Sequence, residues 1–235
     1  MGLSELSAIE RGRYETLRTS LRPFRNLIQG KRVLDFGASY GLSAIVLIEY
    51  GARDVWGVEP DKERVTNGTR WIKTMGLGER VALSYVADTR RLPAADAAFG
   101  FILANAVFEH IQQPRAEYVR ELWRLLAPGG TLLINETPNK YLPADFHTLK
   151  LPLTNWLPSR VAYRIGTALG RFDRARTDWS SSGWRGLGYY ELVCAIPGRY
   201  EMVHELTRPR HRALRVLGLP SGLFDPYPVY QIRKL

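Results

Sequence analysis

The stretch VLDFGASYGL, residues 33–42, decides how the rest of the chain is read. Val33, Leu34 and Phe36 form a short buried strand after Lys31-Arg32, and Gly37 and Gly41 then break the chain. LSAIVLIEY follows with helical spacing. Strand, glycine turn and helix together aim backbone N–H groups and the positive end of a helix at a ligand. Glycine is required where the backbone turns with positive φ, or where a ligand leaves no room for Cβ.

Outward from this turn the pattern repeats. DVWGVEP is a second apolar strand ending in Glu59, and Asp61 caps a helix through about Thr74. VALSYVA (81–87) is a third strand closed by Asp88, and FGFILANA (99–106) a fourth with Asn105 at its end. Pro114 opens a helix whose Tyr118, Leu122, Leu125 and Leu126 share a face; Pro128-Gly129-Gly130 stops it before TLLINET (131–137), a fifth strand. This alternation predicts an α/β fold, a Rossmann-like doubly wound sheet, mostly parallel. Ligands bind such sheets at the carboxyl ends of the strands, where strand order reverses. Gly37, Glu59, Asp88 and Asn105 all fall at such ends.

The flanks differ in character. Residues 4–28 read as an amphipathic helix, with Leu6, Ile9, Tyr14, Leu17 and Leu21 on one side and a kink at Pro23. After Thr137 the chain becomes rich in proline and aromatics, with a helix over 159–170. GYYELVCAIPG reads as a core helix, RYEMVHEL and YPVYQIRKL as two closing strands. The expected organisation is one domain over 1–235: an N-terminal helical segment (1–30), a cofactor-binding core (31–137), an inserted cap (138–186) and a closing helix with strands (187–235).

With 235 residues and 45 % hydrophobic residues, the chain can bury its own core. Its single cysteine, Cys194, excludes an internal disulfide framework and a multi-cysteine zinc site, and fits a reducing cytoplasm. The polar N-terminus lacks the apolar core of a signal peptide, and no apolar run has the length of a membrane span. Charge is uneven: residues 138–235 hold 15 Lys and Arg against 7 Asp and Glu. A solvated basic face and an anionic partner (phosphorylated small molecule, lipid head group or RNA) both fit this excess.

Glu59 stands 22 residues after Gly37, where a carboxylate can accept both hydroxyls of a ribose. Leu42 occupies the third glycine position of the dinucleotide fingerprint, which disfavours a pyrophosphate reader. GASYG also fits the nucleophile elbow of α/β-hydrolases, but several strands should then precede Ser39 and only a helix does. Asp145 and His147 also sit too close together to be that fold's acid and base from separate loops.

VLDFGASYG resembles the first motif, hhDxGxGxG, of the class I S-adenosylmethionine-dependent methyltransferases. GVEP is similar to their strand-two acidic motif. ADTRRLPAADAAFGFILANAVFEHI is similar to the adenine-site Asp, a Leu-Pro loop and a fourth strand ending before Glu-His. LWRLLAPGGTLLINETPN is similar to the helix and Pro-Gly-Gly hairpin into strand five. The likeness covers about residues 30–140, with order and spacing intact. It implies S-adenosyl-L-methionine as cofactor and an antiparallel closing pair of strands. It implies that Asp35 orients the turn, that Gly37 and Gly41 pass close to the cofactor's amino-acid and ribose parts, and that Glu59 holds the ribose. Asp88 would accept from the adenine amino group and Asn105 lie near the methionine end. Ser39 departs from the family's usual glycine and Gly100 from its frequent Asp.

Methyl transfer is an in-line displacement that asks for alignment and exclusion of water. It needs no metal, and the four histidines (110, 147, 204, 211) show no ligand spacing. His204 reads as structural and His211 as solvated. A hydroxyl acceptor calls for a base, and Glu109, His110 and His147 are the candidates, with Asp145 placed to orient the His147 ring. No Asn-Pro-Pro-aromatic follows strand four, and Cys194 falls in the expected core helix. The first argues against the family's nucleic-acid amino methylators, the second against a cysteine-dependent base methylator. Tyr141, Phe146, Trp156, Trp179 and Trp184 give the cap the composition of a shaped pocket. The reading is O-methylation of a small polar acceptor such as a saccharide, glycolipid or natural product, anionic or lipid-linked acceptors and peripheral membrane contact included. Two alternatives stand beside it: an RNA methyltransferase using the basic segment 208–215, and a non-catalytic cofactor-binding subunit.

Overall fold

The computed structural model describes residues 7–111, 114–171, 185–203, 213–214, 216–219 and 224–235. Leu6, Trp179, Trp184, His204, His211 and the arginines at 208, 210, 212 and 215, all singled out above, lie outside the described residues.

Among the described residues, seven strands form one sheet. They are β1 (Arg32–Phe36), β2 (Asp54–Glu59), β3 (Val81–Tyr85), β4 (Phe99–Asn105), β5 (Leu126–Asn135), β6 (Tyr200–Val203) and β7 (Tyr230–Lys234). The order is β3-β2-β1-β4-β5-β7-β6. β1 through β5 are parallel neighbours, and β7 runs antiparallel to both β5 and β6. Strand order therefore reverses between β1 and β4.

The pleat sorts side chains between two apolar layers. Val33, Val55, Phe101, Leu103 and Leu133 meet α1 (Ala8–Leu21), α2 (Arg25–Ile28), α3 (Leu42–Glu49) and α4 (Lys62–Thr74) on one face. Leu34, Val58, Ile102, Ala104, Leu132 and Ile134 meet α5 (Ala116–Leu125) and residues around α7 (Tyr189–Val193) on the other. Because both faces are covered, the central strands are apolar at nearly every position. α6 (Ser159–Ala168) belongs to neither layer. Its Ala162 packs with Leu149, Leu151, Leu157 and Tyr163 in a small separate cluster.

Four local readings differ from the structure. The N-terminal helix starts at Ala8 behind a Ser7–Glu10 capping box, and passes through a 3₁₀ turn at Arg22–Phe24, where Pro23 cannot donate, into α2. Ile9 is exposed and does not join the buried Tyr14 and Leu21. α5 ends before Pro128: Leu126 already pairs with Phe99, and residues between it and the Thr131–Phe101 pair bulge out of register, with Gly129 at φ +72°. α7 is five residues long, so Cys194 caps its end in an exposed position and is no core residue.

Candidate active site

The carboxyl ends of β1, β2 and β4 bring the motif residues to one edge of the sheet. After β1 the chain takes left-handed conformations at Gly37 (φ +79°), Ser39 (φ +49°) and Gly41 (φ +86°), the last being the N-cap of α3. Both glycines are also close-packed. A Cβ on Gly37 would lie 2.6 Å from Val107 Cγ2, and one on Gly41 would lie 3.1 Å from Leu83 Cδ1 and 3.3 Å from Ile72 Cδ1. The turn is thus seated against the loop after β4 on one side and against β3 and α4 on the other.

Glu59 is buried at the end of β2. Its Oε2 accepts from the Ser39 N–H at 2.9 Å, its Oε1 from the Asp61 N–H at 3.2 Å, and burial raises its pKa. Asp61 caps α4 through the Glu63 and Arg64 N–H groups, as the sequence predicts. Asp35 is fully enclosed beneath the turn. The Ser43 hydroxyl donates to its Oδ2 at 2.6 Å, yet burial pushes its pKa up to about 7. Asp88 is exposed, and Arg90 grips both its oxygens through the guanidinium and the backbone N–H, which holds the carboxyl at about 2. Asn105 donates to Glu136 Oε2 at 2.9 Å and accepts from Asn135 at 3.0 Å.

Next to this edge a second group assembles. Glu109 lies on a 3₁₀ turn (Phe108–His110) after β4, and Thr137 just past β5 donates to its Oε2 at 3.1 Å. Glu109 is 3 % exposed, its Oε1 has no hydrogen-bond partner among the described residues, and burial raises its pKa. The His147 ring comes edge-on to the ring of His110, centroids 6.5 Å apart, and burial lowers the His147 pKa. Tyr227 donates to the Phe146 carbonyl at 3.4 Å. Burial raises its hydroxyl pKa, and the nearby Asp145 and Glu109 raise it further.

Asp145 does not orient the histidine ring. Its carboxylate accepts the backbone N–H groups of His147, Thr148 and Leu149, while His147 Nδ1 faces Thr148 Oγ1 at 3.0 Å. Asp145 therefore shapes the loop that presents His147. Glu136, Asn135, Thr137 and Tyr227 were missed in the sequence. The parallel register that sets Asn105 opposite Asn135 was the available signal for the first three. A cleft of about 420 Å³ lies at the opposite, amino-terminal edge of the sheet, lined by Arg32, Asp54, Trp56, Arg80 and Pro93. Arg32 pairs there with Asp54, and Arg80 donates to the Ala52 carbonyl.

A parallel sheet with a glycine turn at its switch point, an acid ending β2 and one reversed strand defines a Rossmann-like nucleoside-cofactor protein. Residues 34–134 match the family described as methyltransferase domain. This segment is a class I S-adenosylmethionine-dependent methyltransferase domain, and the cofactor of that class is S-adenosylmethionine. Norajmaline N-methyltransferase from Rauvolfia serpentina is 30 % identical over 121 residues, 51 % of this chain and 40 % of that one. The chain spans less than half the length of the first curated relatives it matches. An S-adenosylmethionine-dependent methyltransferase from Mesorhizobium loti shares the fold at TM-score 0.59 and 16 % identity, covering 92 % of this chain and 96 % of that one. Geranyl diphosphate C-methyltransferase from Streptomyces coelicolor, solved with S-adenosyl-L-homocysteine, does so at TM-score 0.60 and 13 % identity, covering 94 % and 78 %.

Proposed function

We propose that the protein methylates a hydroxyl of a small polar acceptor, such as a saccharide, glycolipid or natural product, using S-adenosyl-L-methionine. The observation that carries this reading is the convergence of Glu109, His110 and His147, from two separate loops, beside the cofactor turn. The residues present suit the cofactor. Glu59 spends one acceptor position per oxygen on backbone N–H groups and keeps lone pairs for ribose hydroxyls. Asp88 is the adenine-side acceptor and Asn105 the methionine-side group in this reading, with Asp35 and Ser39 shaping the turn between them. When bound, S-adenosylmethionine supplies a methyl group on a sulfonium, open to in-line displacement.

The chain's own residues then have three tasks: to hold the acceptor oxygen in line, to exclude water, and to take the hydroxyl proton. His147 is the base in this reading, because burial lowers its pKa and so favours the neutral, proton-accepting ring. His110 lies edge-on beside it, and Glu109 offers its open oxygen to the acceptor. Residues 138–186 serve as the acceptor cap.

A second reading, methylation of an amine, is favoured by that open Glu109 oxygen, which an N–H group would satisfy, and by the N-methyltransferase relative. The test is S-adenosylhomocysteine release against matched hydroxyl and amine acceptors, with His147→Ala as control. Turnover on hydroxyl acceptors that falls about 10²–10⁴-fold in His147→Ala supports the proposal. Turnover confined to amines, or to RNA, overturns it.

A further inference from the structure

Residues 146–171, which include α6, contain Lys150, Arg160, Arg164 and Arg171 and no acidic residue. All four cations are exposed. The small core beneath is filled by Leu149, Ala162, Leu151, Leu157 and Tyr163. Other apolar side chains of the same segment point outward: Leu153 is 58 % exposed, Trp156 65 % and Leu169 58 %. Trp156 Nε1 donates to the Tyr141 carbonyl at 3.0 Å, so the indole is held in place with most of its surface in solvent. On α6 the buried positions are Ala162 and Gly166. The exposed stripe is Arg160, Val161, Arg164 and Ala168, running on into Leu169.

A solvated surface usually mixes charges of both signs and keeps large apolar groups scattered. Arginine heads interleaved with Trp, Leu and Val, with no carboxylate within residues 146–171, make the composition of an interfacial element. The apolar groups enter the acyl boundary while the cations meet anionic head groups. Phe146, half exposed, begins the same segment next to His147.

We propose that the face formed by the 150–158 loop and α6 docks on an anionic phospholipid bilayer. This docking is independent of the methyl-transfer reading, since it requires neither cofactor nor acceptor.

The experiment is co-sedimentation of the full chain with phosphatidylcholine vesicles, with and without about a third phosphatidylglycerol, at low and high salt. Binding to the anionic vesicles only, weakened by salt, is expected. R160Q/R164Q should weaken it about 30-fold, two charges at about 1 kcal/mol each. Leu153→Ser should weaken it about tenfold through lost apolar contact. R70Q/K73Q, the same charge change on the exposed face of α4, should leave it within about twofold. All three alter exposed side chains, and unchanged melting temperatures would confirm intact folding. Equal partition to neutral and anionic vesicles overturns the proposal, as does equal loss in R70Q/K73Q. Homopolymer RNA binding abolished by R160Q/R164Q, without vesicle binding, would assign the face to RNA instead.

Discussion

Replacing Asp35 by Asn should make the cofactor-free protein's stability less sensitive to pH, by an amount the structure sets. Asp35 is 1 % exposed, with its pKa raised to about 7 chiefly by burial, against 3.8 for an exposed Asp. The gap is about 3 pH units at about 1.4 kcal/mol each, or ~4 kcal/mol as an order of magnitude. The sign follows from which state holds the proton more tightly. Below about pH 4 both states are protonated and Asp35 adds no pH dependence. Between about pH 4 and 7 the unfolded chain loses its proton first, so the fold loses up to ~4 kcal/mol, and above pH 7 the loss is constant. The amide of the Asp35→Asn variant carries no proton to lose and can still accept the Ser43 hydroxyl. Urea midpoints for both proteins from pH 4.5 to 8 isolate this effect, because the other titrating groups cancel in the difference. With a slope of about 3 kcal/mol/M, the difference in midpoint should move by roughly 1 M in favour of the variant as pH rises. A difference that stays constant with pH would refute the burial argument.

Glu59→Ala should weaken S-adenosylmethionine binding by calorimetry at least tenfold while the protein stays folded, since the loss is of charged hydrogen bonds to the ligand; unchanged affinity would remove Glu59 from the ribose site. His147→Ala should reduce turnover about 10²–10⁴-fold with cofactor affinity intact and partial recovery at high pH, and His110→Ala should cost less. If His147 is the base, kcat/KM should hold its plateau to lower pH than an ordinary histidine would allow, because the neutral ring is the active form and burial lowers its pKa. Gly37→Ala should destabilise by more than about 1 kcal/mol, read as urea midpoint, from the positive φ and the contact with Val107.

Where local chemistry decides structure, the sequence was enough. Asp61 was legible as a cap because a carboxylate before KERV has two free N–H groups to accept. The parallel sheet followed from apolar runs alternating with helices, and the acid at the end of β2 from its distance to Gly37. Side chains whose roles depend on competing partners were less legible. Asp145 sits two residues from His147 and reads as its orienting acid. Three backbone N–H groups from the loop itself compete for that carboxylate and win. Asp88 reads as a free acceptor, but an arginine two residues on closes over it. Cys194 reads as a core residue because GYYELVCAIPG reads as one core helix, whereas α7 ends at Val193 and leaves Cys194 as its exposed cap.

Gly37 connects these two levels. Sequence reasoning explains the glycine by what a cofactor would need, yet its open side is already filled by Val107, 2.6 Å from where a Cβ would sit. Val107 directly precedes the 3₁₀ turn that carries Glu109 and His110. The glycine turn after β1 and the turn that carries Glu109 and His110 therefore share one packed contact, at the point where strand order reverses. Thr137 ties the same group to β5 through Glu109, and the Asn105–Asn135 and Asn105–Glu136 hydrogen bonds tie β4 to β5 one layer below. Methyl transfer asks for an acceptor held in line with a donor to within a fraction of an ångström. In the proposed reading, the contact between the Gly37 turn and the turn that carries Glu109 and His110 builds part of that alignment into the fold, while His147 and the cap meet the acceptor from a separate stretch of chain.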